Sequence, residues 1–266
     1  MGRVTYRTGE LEIQENLVMN KEDYIFGTRA VIEAILNGRS IDKVLIKKGL
    51  DNELFSTLFP LIKENSINFQ FVPVEKINRI TRKNHQGVLA FLSPVDFADI
   101  EIVLPGLFEA ATTPLILMLD RITDVRNFGA IVRSAECGGV NAVIVPEKGM
   151  AMIGADAVKT SAGALNYLPV CKSSNLKETI LYLKNSGIRI VAASEKAGKL
   201  YTSVKMDMPL CIIMGAEDKG IAPALLQMTD EQVRIPLLGK IGSLNVSVAA
   251  ALMIFEAVRQ RDSAGN

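Results

Sequence analysis

The second half of this chain alternates short apolar runs with amphipathic stretches, and that alternation restricts the fold more than any other feature. Residues 115–119, 142–145, 188–192, 210–214 and 232–235 read as strands. Residues 129–137, 155–161, 176–185, 223–228 and 243–261 read as helices. Strands that alternate with helices imply a mostly parallel sheet with helices on both faces. Ligands of such sheets settle at the carboxyl ends of the strands. The loops that begin there are therefore of most interest. One, 215–220, follows the apolar run 210–214. Another, 235–245, is largely apolar yet carries Pro236, Gly239 and Gly242, which interrupt regular structure. A loop so poor in charge is expected inside the molecule or around a pocket. Its backbone groups then need partners, which a small ligand can supply. A third loop, 120–129, leads into a helix carrying Arg133.

The first half repeats the pattern on a smaller scale. Residues 27–38 read as a helix capped by Thr28 and stopped by Gly38. Residues 52–64 read as an amphipathic helix with Leu54, Leu58, Leu61 and Ile62 inward. Residues 44–46, 69–72 and 88–92 read as strands, and 74–80 as a short helix. Residues 21–95 thus form a compact α/β unit. Pro94, Pro105 and Pro114 punctuate the next stretch, so 96–113 is expected to be a linker and 114–266 a larger domain. Residues 1–20 lack an apolar period and read as a tail.

Composition removes several classes. Hydrophobic residues make up 48% and mean hydropathy is +0.23, as in a folded, soluble chain. No apolar run is long enough to span a bilayer. The first residues are polar and of mixed charge, unlike a secretory signal, and position 6 is Tyr where myristoylation needs Ser or Thr. A cytoplasmic location is the expectation. Cys137, Cys171 and Cys211 are widely spaced, which fits reduced thiols and disfavours zinc. A single histidine, His85, excludes a His-rich metal site. No Gly-x-Gly-x-x-Gly pattern follows any strand. Gly215-x-Glu217-x-x-Gly220 is no substitute, because its acidic side chain would face a pyrophosphate.

Residues in these loops carry a resemblance. Asp124-x-x-Asn127-x-Gly129-x-x-x-Arg133-x-Ala135, then Gly215-x-Glu217-x-x-Gly220, then Ile235-Pro236 with Ser243-Leu244-Asn245-Val246-Ser247, resemble the three motifs of the SpoU (TrmH-type) family of SPOUT RNA 2′-O-ribose methyltransferases. The motifs occur in family order. The first half, with His85-Gln86-Gly87, is similar to the RNA-binding domain that precedes the catalytic domain in many members. Within the family the match is nearest to the bacterial 23S rRNA guanosine methyltransferases. Val125 stands where many members carry Pro.

The resemblance implies an α/β fold whose C-terminal domain is a parallel sheet with a trefoil knot. It implies S-adenosylmethionine as donor, rRNA as substrate, a homodimer, and no metal or membrane partner. Gly215, Ile235 and Leu244 are the expected donor-binding positions. Arg133 is the central catalytic residue, with Asn127, Glu217, Ser243 and Asn245 beside it. A guanidinium stays protonated, so Arg133 is expected to act through charge. A tRNA substrate is the alternative within the class, and an inactive RNA-binding assembly factor the alternative outside it.

Plainer readings stand beside these. Asn127, Ser243 and Asn245 precede helices and read equally well as caps. Arg133 could pair with Glu136 on a wet helix face. Glu217 lies in an ordinary turn composition, and Asp120 reads as a turn residue. Net charge is only +1, so any RNA contact must be a local patch. Arg79, Arg82, Lys83 and His85, with Lys76, form one; it contacts phosphates or is a solvated face. His85 alone also reads as a hydrogen-bonded structural residue. Aromatic residues are scarce there, which predicts recognition of backbone and shape rather than stacking. The final helix is apolar nearly all round, as expected of one buried on several sides or at a dimer interface.

Overall fold

The computed structural model describes residues 24–264, apart from residues 66 and 152. The expected tail over 1–20 lies outside the described residues.

The first unit runs β1 (Tyr24–Phe26), α1 (Thr28–Leu36), β2 (Ile41–Lys47), α2 (Glu53–Glu64), β3 (Asn68–Val72), α3 (Val74–Ile80) and β4 (Val88–Leu92). Its sheet has the order β1-β4-β2-β3, with β3 at an edge and parallel to β2. Alternation along the strands divides the core. Val44, Ile46, Val88 and Ala90 pack with Leu58 and Ile62 of α2, while Leu45, Val72 and Leu89 pack with Ile77 of α3. Asn52 caps α2, its side chain accepting from Phe55 N at 2.9 Å. Thr28 does not cap α1. Gly27, at φ 93°, holds that position, and the Thr28 hydroxyl is buried without a partner among the described residues.

The second unit runs β5 (Phe97–Ala98), α4 (Ile100–Glu109), β6 (Leu115–Asp120), α5 (Val125–Cys137), β7 (Ala142–Pro146), α6 (Ala155–Thr160), β8 (Val170–Ser173), α7 (Leu176–Asn185), β9 (Arg189–Ala193), β10 (Lys199–Leu200), β11 (Leu210–Gly215), α8 (Pro223–Leu226), β12 (Glu231–Arg234) and α9 (Val246–Ala264). Its eight-stranded sheet has the order β10-β12-β9-β11-β6-β7-β8-β5, parallel throughout. Every residue of β6 and β11 is buried, the pattern of strands covered on both faces. Leu115, Leu117 and Leu119 meet α5 and α9 on one side. Ile116 and Met118 meet α4, α7 and α8 on the other.

The stretch 96–113 joins the units but is not irregular. Asp99 starts α4 by accepting from Glu101 N at 2.9 Å, and Ile100 and Leu104 fill the lower core. Pro105 lies inside this helix. The proline forfeits one backbone hydrogen bond, which the buried face outweighs. β5 and β10 have two residues each, too short to show a period in sequence.

The loop 236–245 takes the second of its two expected places: Leu237, Gly242, Ser243 and Leu244 line a cavity while its tip stands in solvent. Leu238 is 99% exposed and Ile241 79%. Helix α9 buries Val246, Ala250, Met253, Ile254 and Ala257, while Val248, Leu252 and Phe255 form an exposed apolar stripe on it.

Candidate active site

Strand ends bring the expected residues together. The carboxyl ends of β9, β11 and β12 surround a cavity of about 430 Å³. Gly215, Ile235, Leu244 and Ser243 line it, with Glu217 at its edge. Gly215 ends β11 where no other residue fits: a Cβ there would come within 2.2 Å of Gly220 C and Ile221 N. The backbone of 220–221 can therefore cross directly over the strand end.

A second cavity of about 240 Å³ adjoins the first. Asn127, Asp124 and Arg121 line it, and it shares Glu217 and Val246 with its neighbour. One hydrogen-bonded set stands between the two. The Asn245 amide donates to Asn127 Oδ1 at 2.9 Å and to Glu217 Oε1 at 2.8 Å. Glu217 Oε1 also accepts from Val246 N at 3.1 Å. Asn245 Oδ1 accepts from Ser247 N at 2.9 Å, so the residue both caps α9 and ties the three loops together. The cap and site readings of Asn245 thus describe one side chain. Asn127 is not the cap of its helix. Asp124 is, accepting from Arg126 N at 2.7 Å, and α5 starts four residues earlier than the sequence suggests. Val125 is then the first helical residue, where proline would be tolerated equally.

Asp120 is more than a turn residue. It is buried, and its Oδ2 accepts from Ala222 N at 2.7 Å and from Arg121 Nη2 at 3.1 Å. The same Arg121 nitrogen donates to Gly220 O at 3.1 Å. Arg121 adopts φ 60°, a strained backbone for a residue with a Cβ. Together the pair clamps the 215–222 loop over the first of these cavities. Only its place at a strand end hinted at this in sequence.

Other expected residues lie elsewhere. Arg133 is exposed, lines neither cavity, and makes no ion pair with Glu136 or Glu217 among the described residues. Arg79, Arg82 and Lys83 are exposed on the α3 side of the first unit. His85, beside them in sequence, is buried. It is 8% exposed; its Nδ1 accepts from Gly87 N at 3.0 Å, and its Nε2 meets Asn78 Oδ1 at 2.8 Å. It organises the turn in which Gln86 and Gly87 take positive φ. Away from this basic face, Phe55, Phe59, Phe69 and Phe71 gather at one margin of the sheet.

Two family models match the chain. Residues 114–255 match the SpoU rRNA Methylase family, and 24–98 match the RNA 2′-O ribose methyltransferase substrate-binding domain. The chain belongs to the SpoU rRNA Methylase family. This SpoU chain is an RNA 2′-O-ribose methyltransferase. A TrmH family tRNA/rRNA methyltransferase of Staphylococcus aureus (strain MSSA476), so named provisionally by its own description, is 33% identical over 92% of this chain and 99% of the relative. A crystal structure of an RNA 2′-O ribose methyltransferase is 26% identical, covers 90% of this chain and 88% of its own, and superposes with a TM-score of 0.53. The SpoU methyltransferase AviRb of Streptomyces viridochromogenes, in complex with AdoMet, shares the fold: 23% identity, 90% of each chain, TM-score 0.57. Among the described residues of the SpoU chain, no group of His, Cys, Asp or Glu is placed to hold a metal ion. None of its described helices is long and apolar enough to cross a membrane.

Proposed function

We propose that this enzyme methylates a ribose 2′-hydroxyl of rRNA, a guanosine of 23S rRNA being the target class, with S-adenosylmethionine as donor. The observation that carries the reading is the Asn127–Asn245–Glu217 set between two adjoining cavities. One cavity would take the donor and the other the acceptor nucleotide. The larger has the size of an ordinary small-molecule site. Its apolar lining by Ile235, Leu237 and Leu244 suits an adenine, and the backbone at Gly215 and Gly220 offers polar partners. When bound, the donor supplies an electrophilic methyl carbon on a sulfonium.

The chain's own groups do the rest. Asn127 and Glu217, held by Asn245, fix the ribose at the wall between the cavities. Holding two reactants in line can supply about 7–11 kcal/mol in ideal cases. Arg133 acts through charge, gripping a phosphate and stabilising the alkoxide as it develops. An RNA phosphate oxygen takes the hydroxyl proton.

Arg133 follows Asn127 by six residues, about 9 Å along α5 and about 240° around it. It points away from the face that Asn127 turns to the cavity. A homodimer resolves this: a second copy seated on the Val248, Leu252 and Phe255 stripe brings a guanidinium to the neighbouring site. Covering that stripe also removes apolar surface from water. The trefoil threading of the loops 215–222 and 235–245 belongs to the same reading, as does a cytoplasmic location. A tRNA substrate is the second reading; a separate substrate-binding unit favours a larger, structured RNA. Mapping ribose methylation in rRNA and tRNA from cells with and without the gene tests this. A mark lost from tRNA alone would refute the rRNA assignment.

A further inference from the structure

The first unit carries an aromatic surface that the motifs do not account for. Phe69 and Phe71 alternate on edge strand β3 and stand opposite Val44 and Ile46, on the α2 face of the sheet. Phe59 of α2 meets Phe69 edge-on at 5.2 Å between centroids, and Phe69 meets Phe71 at 5.8 Å. Phe55 continues the group, 5.3 Å from Phe59. Simple core packing would have buried these rings. Instead Phe69 is 39% and Phe71 41% exposed, with no further strand beyond them among the described residues.

The surroundings select a polyanion with flat apolar faces. Phe69 and Lys63 line a cavity of about 660 Å³ between the two units. Lys43, Lys148 and Lys172 line it as well, against Asp42 and Glu147. Lys172 is held by Asp42 at 4.0 Å and lies over Phe97. Lys43, Lys63 and Lys148 have no carboxylate partner among the described residues. Lys63 sits 4.6 Å from the centre of the Phe59 ring, so cation and aromatic surface adjoin. The cavity also leads toward the chemistry. Its 147–151 wall is bonded to the acceptor-side loop through Ala151 N to Ile122 O at 2.7 Å, and Ile122 lines the acceptor cavity. The wall of the lysine-lined cavity and the loop that leads to Asn127 are thus directly joined.

The geometry points to Phe69 and Phe71 as a stacking platform for unpaired bases of the substrate RNA, with Lys43, Lys63 and Lys148 holding the backbone of the strand on its way to the acceptor cavity. This rests on the methyl-transfer reading and adds that the substrate is single-stranded beside its target. Every base has a face to stack, so the platform needs no base-specific contact. A paired helix keeps its bases stacked on each other and offers the rings nothing.

The test uses the full chain and a short oligouridine carrying 5-iodouridine, with a blunt-ended, fully paired RNA duplex as control. Photo-crosslinks are expected in the peptide holding Phe69 and Phe71. The Phe69→Leu/Phe71→Leu variant keeps apolar bulk but removes the rings. It should bind the oligouridine at least about tenfold more weakly. Duplex affinity, donor affinity and melting temperature should be unchanged, and Phe69→Tyr/Phe71→Tyr should retain binding. Wild-type affinity in the Leu variant overturns the proposal. So do crosslinks confined to residues 76–83, or a changed oligomeric state in the Leu variant, which would make the surface a contact between copies. A wild-type chain that binds the oligouridine at this peptide yet never incorporates methyl groups would refute the methyl-transfer reading and leave the platform standing.

Discussion

Asn245 is the residue on which the most depends. Its amide reaches Asn127 and Glu217, and its oxygen caps α9. Asn245→Ala should cost about 1 kcal/mol in stability through the lost cap. Turnover should fall about a hundredfold, because a misplacement of about 1 Å has that effect. Thermal melts and single-turnover methylation, measured together, separate the two losses. Equal turnover in wild type and variant would mean that the set does not position the ribose. Asn245 was legible in sequence because cap chemistry and family motif coincide there. Asp120 was not, since its partner Ala222 N lies 102 residues away. Asp120→Ala strands that half-buried N–H, so stability should drop by about 1 kcal/mol. Donor affinity should weaken as the 215–222 loop loosens. Calorimetric titration with the donor checks this, and unchanged affinity would show the loop to be held by other contacts.

At the scale of elements, α9 shows how a short-range pattern meets long-range anchoring. Its C-terminal turns are pinned by Arg261, which donates to the carbonyls of Thr113, Pro114 and Met208. Glu256 is bound by Arg259 at 2.7 and 2.8 Å and by Gln260 at 2.7 Å, and Gln260 reaches Val204 and Met206. The hydrogen bonds from Arg259 come first among the causes that hold the Glu256 carboxyl below its ordinary value of 4.5. A lowered folded pKa means the charged form is favoured by the fold. This stabilisation is full above the ordinary value and is lost as pH falls through the lowered one. Glu256→Gln should therefore destabilise at pH 7 and flatten the decline in melting temperature below about pH 4.5. Parallel acid profiles in the two proteins would show that Glu256 contributes nothing to acid sensitivity. Apolar periodicity made α9 visible in sequence. It did not show which side stays wet, because Val248, Leu252 and Phe255 are as apolar as the residues they flank.

For the whole molecule, the proposed dimer would carry Arg133 to the site of the neighbouring copy. Arg133→Ala should abolish turnover while leaving donor affinity largely intact. Mixed with Asn245→Ala under subunit exchange, it should recover about a quarter of wild-type activity, since half the dimers carry one intact site. No recovery, with exchange verified, would place Arg133 and Asn245 of the same chain in one site. The Leu252→Arg variant should run as a monomer on a sizing column and be inactive, yet still bind the donor. An inactive dimer would show that the stripe is not the interface.

The sequence by itself determined the α/β class, the parallel sheet and the strand ends where the loops gather. These come from periodicity, from Gly and Pro, and from residues with a local job, such as Asp124 and Gly215. Tertiary structure alone decided that Pro105 lies within a helix, that Asp120 clamps a loop, and that the phenylalanines of α2 and β3 meet at a half-open edge. Each of these depends on groups far apart in sequence, where burial and hydrogen-bond pairing outweigh local preference and leave no pattern to read.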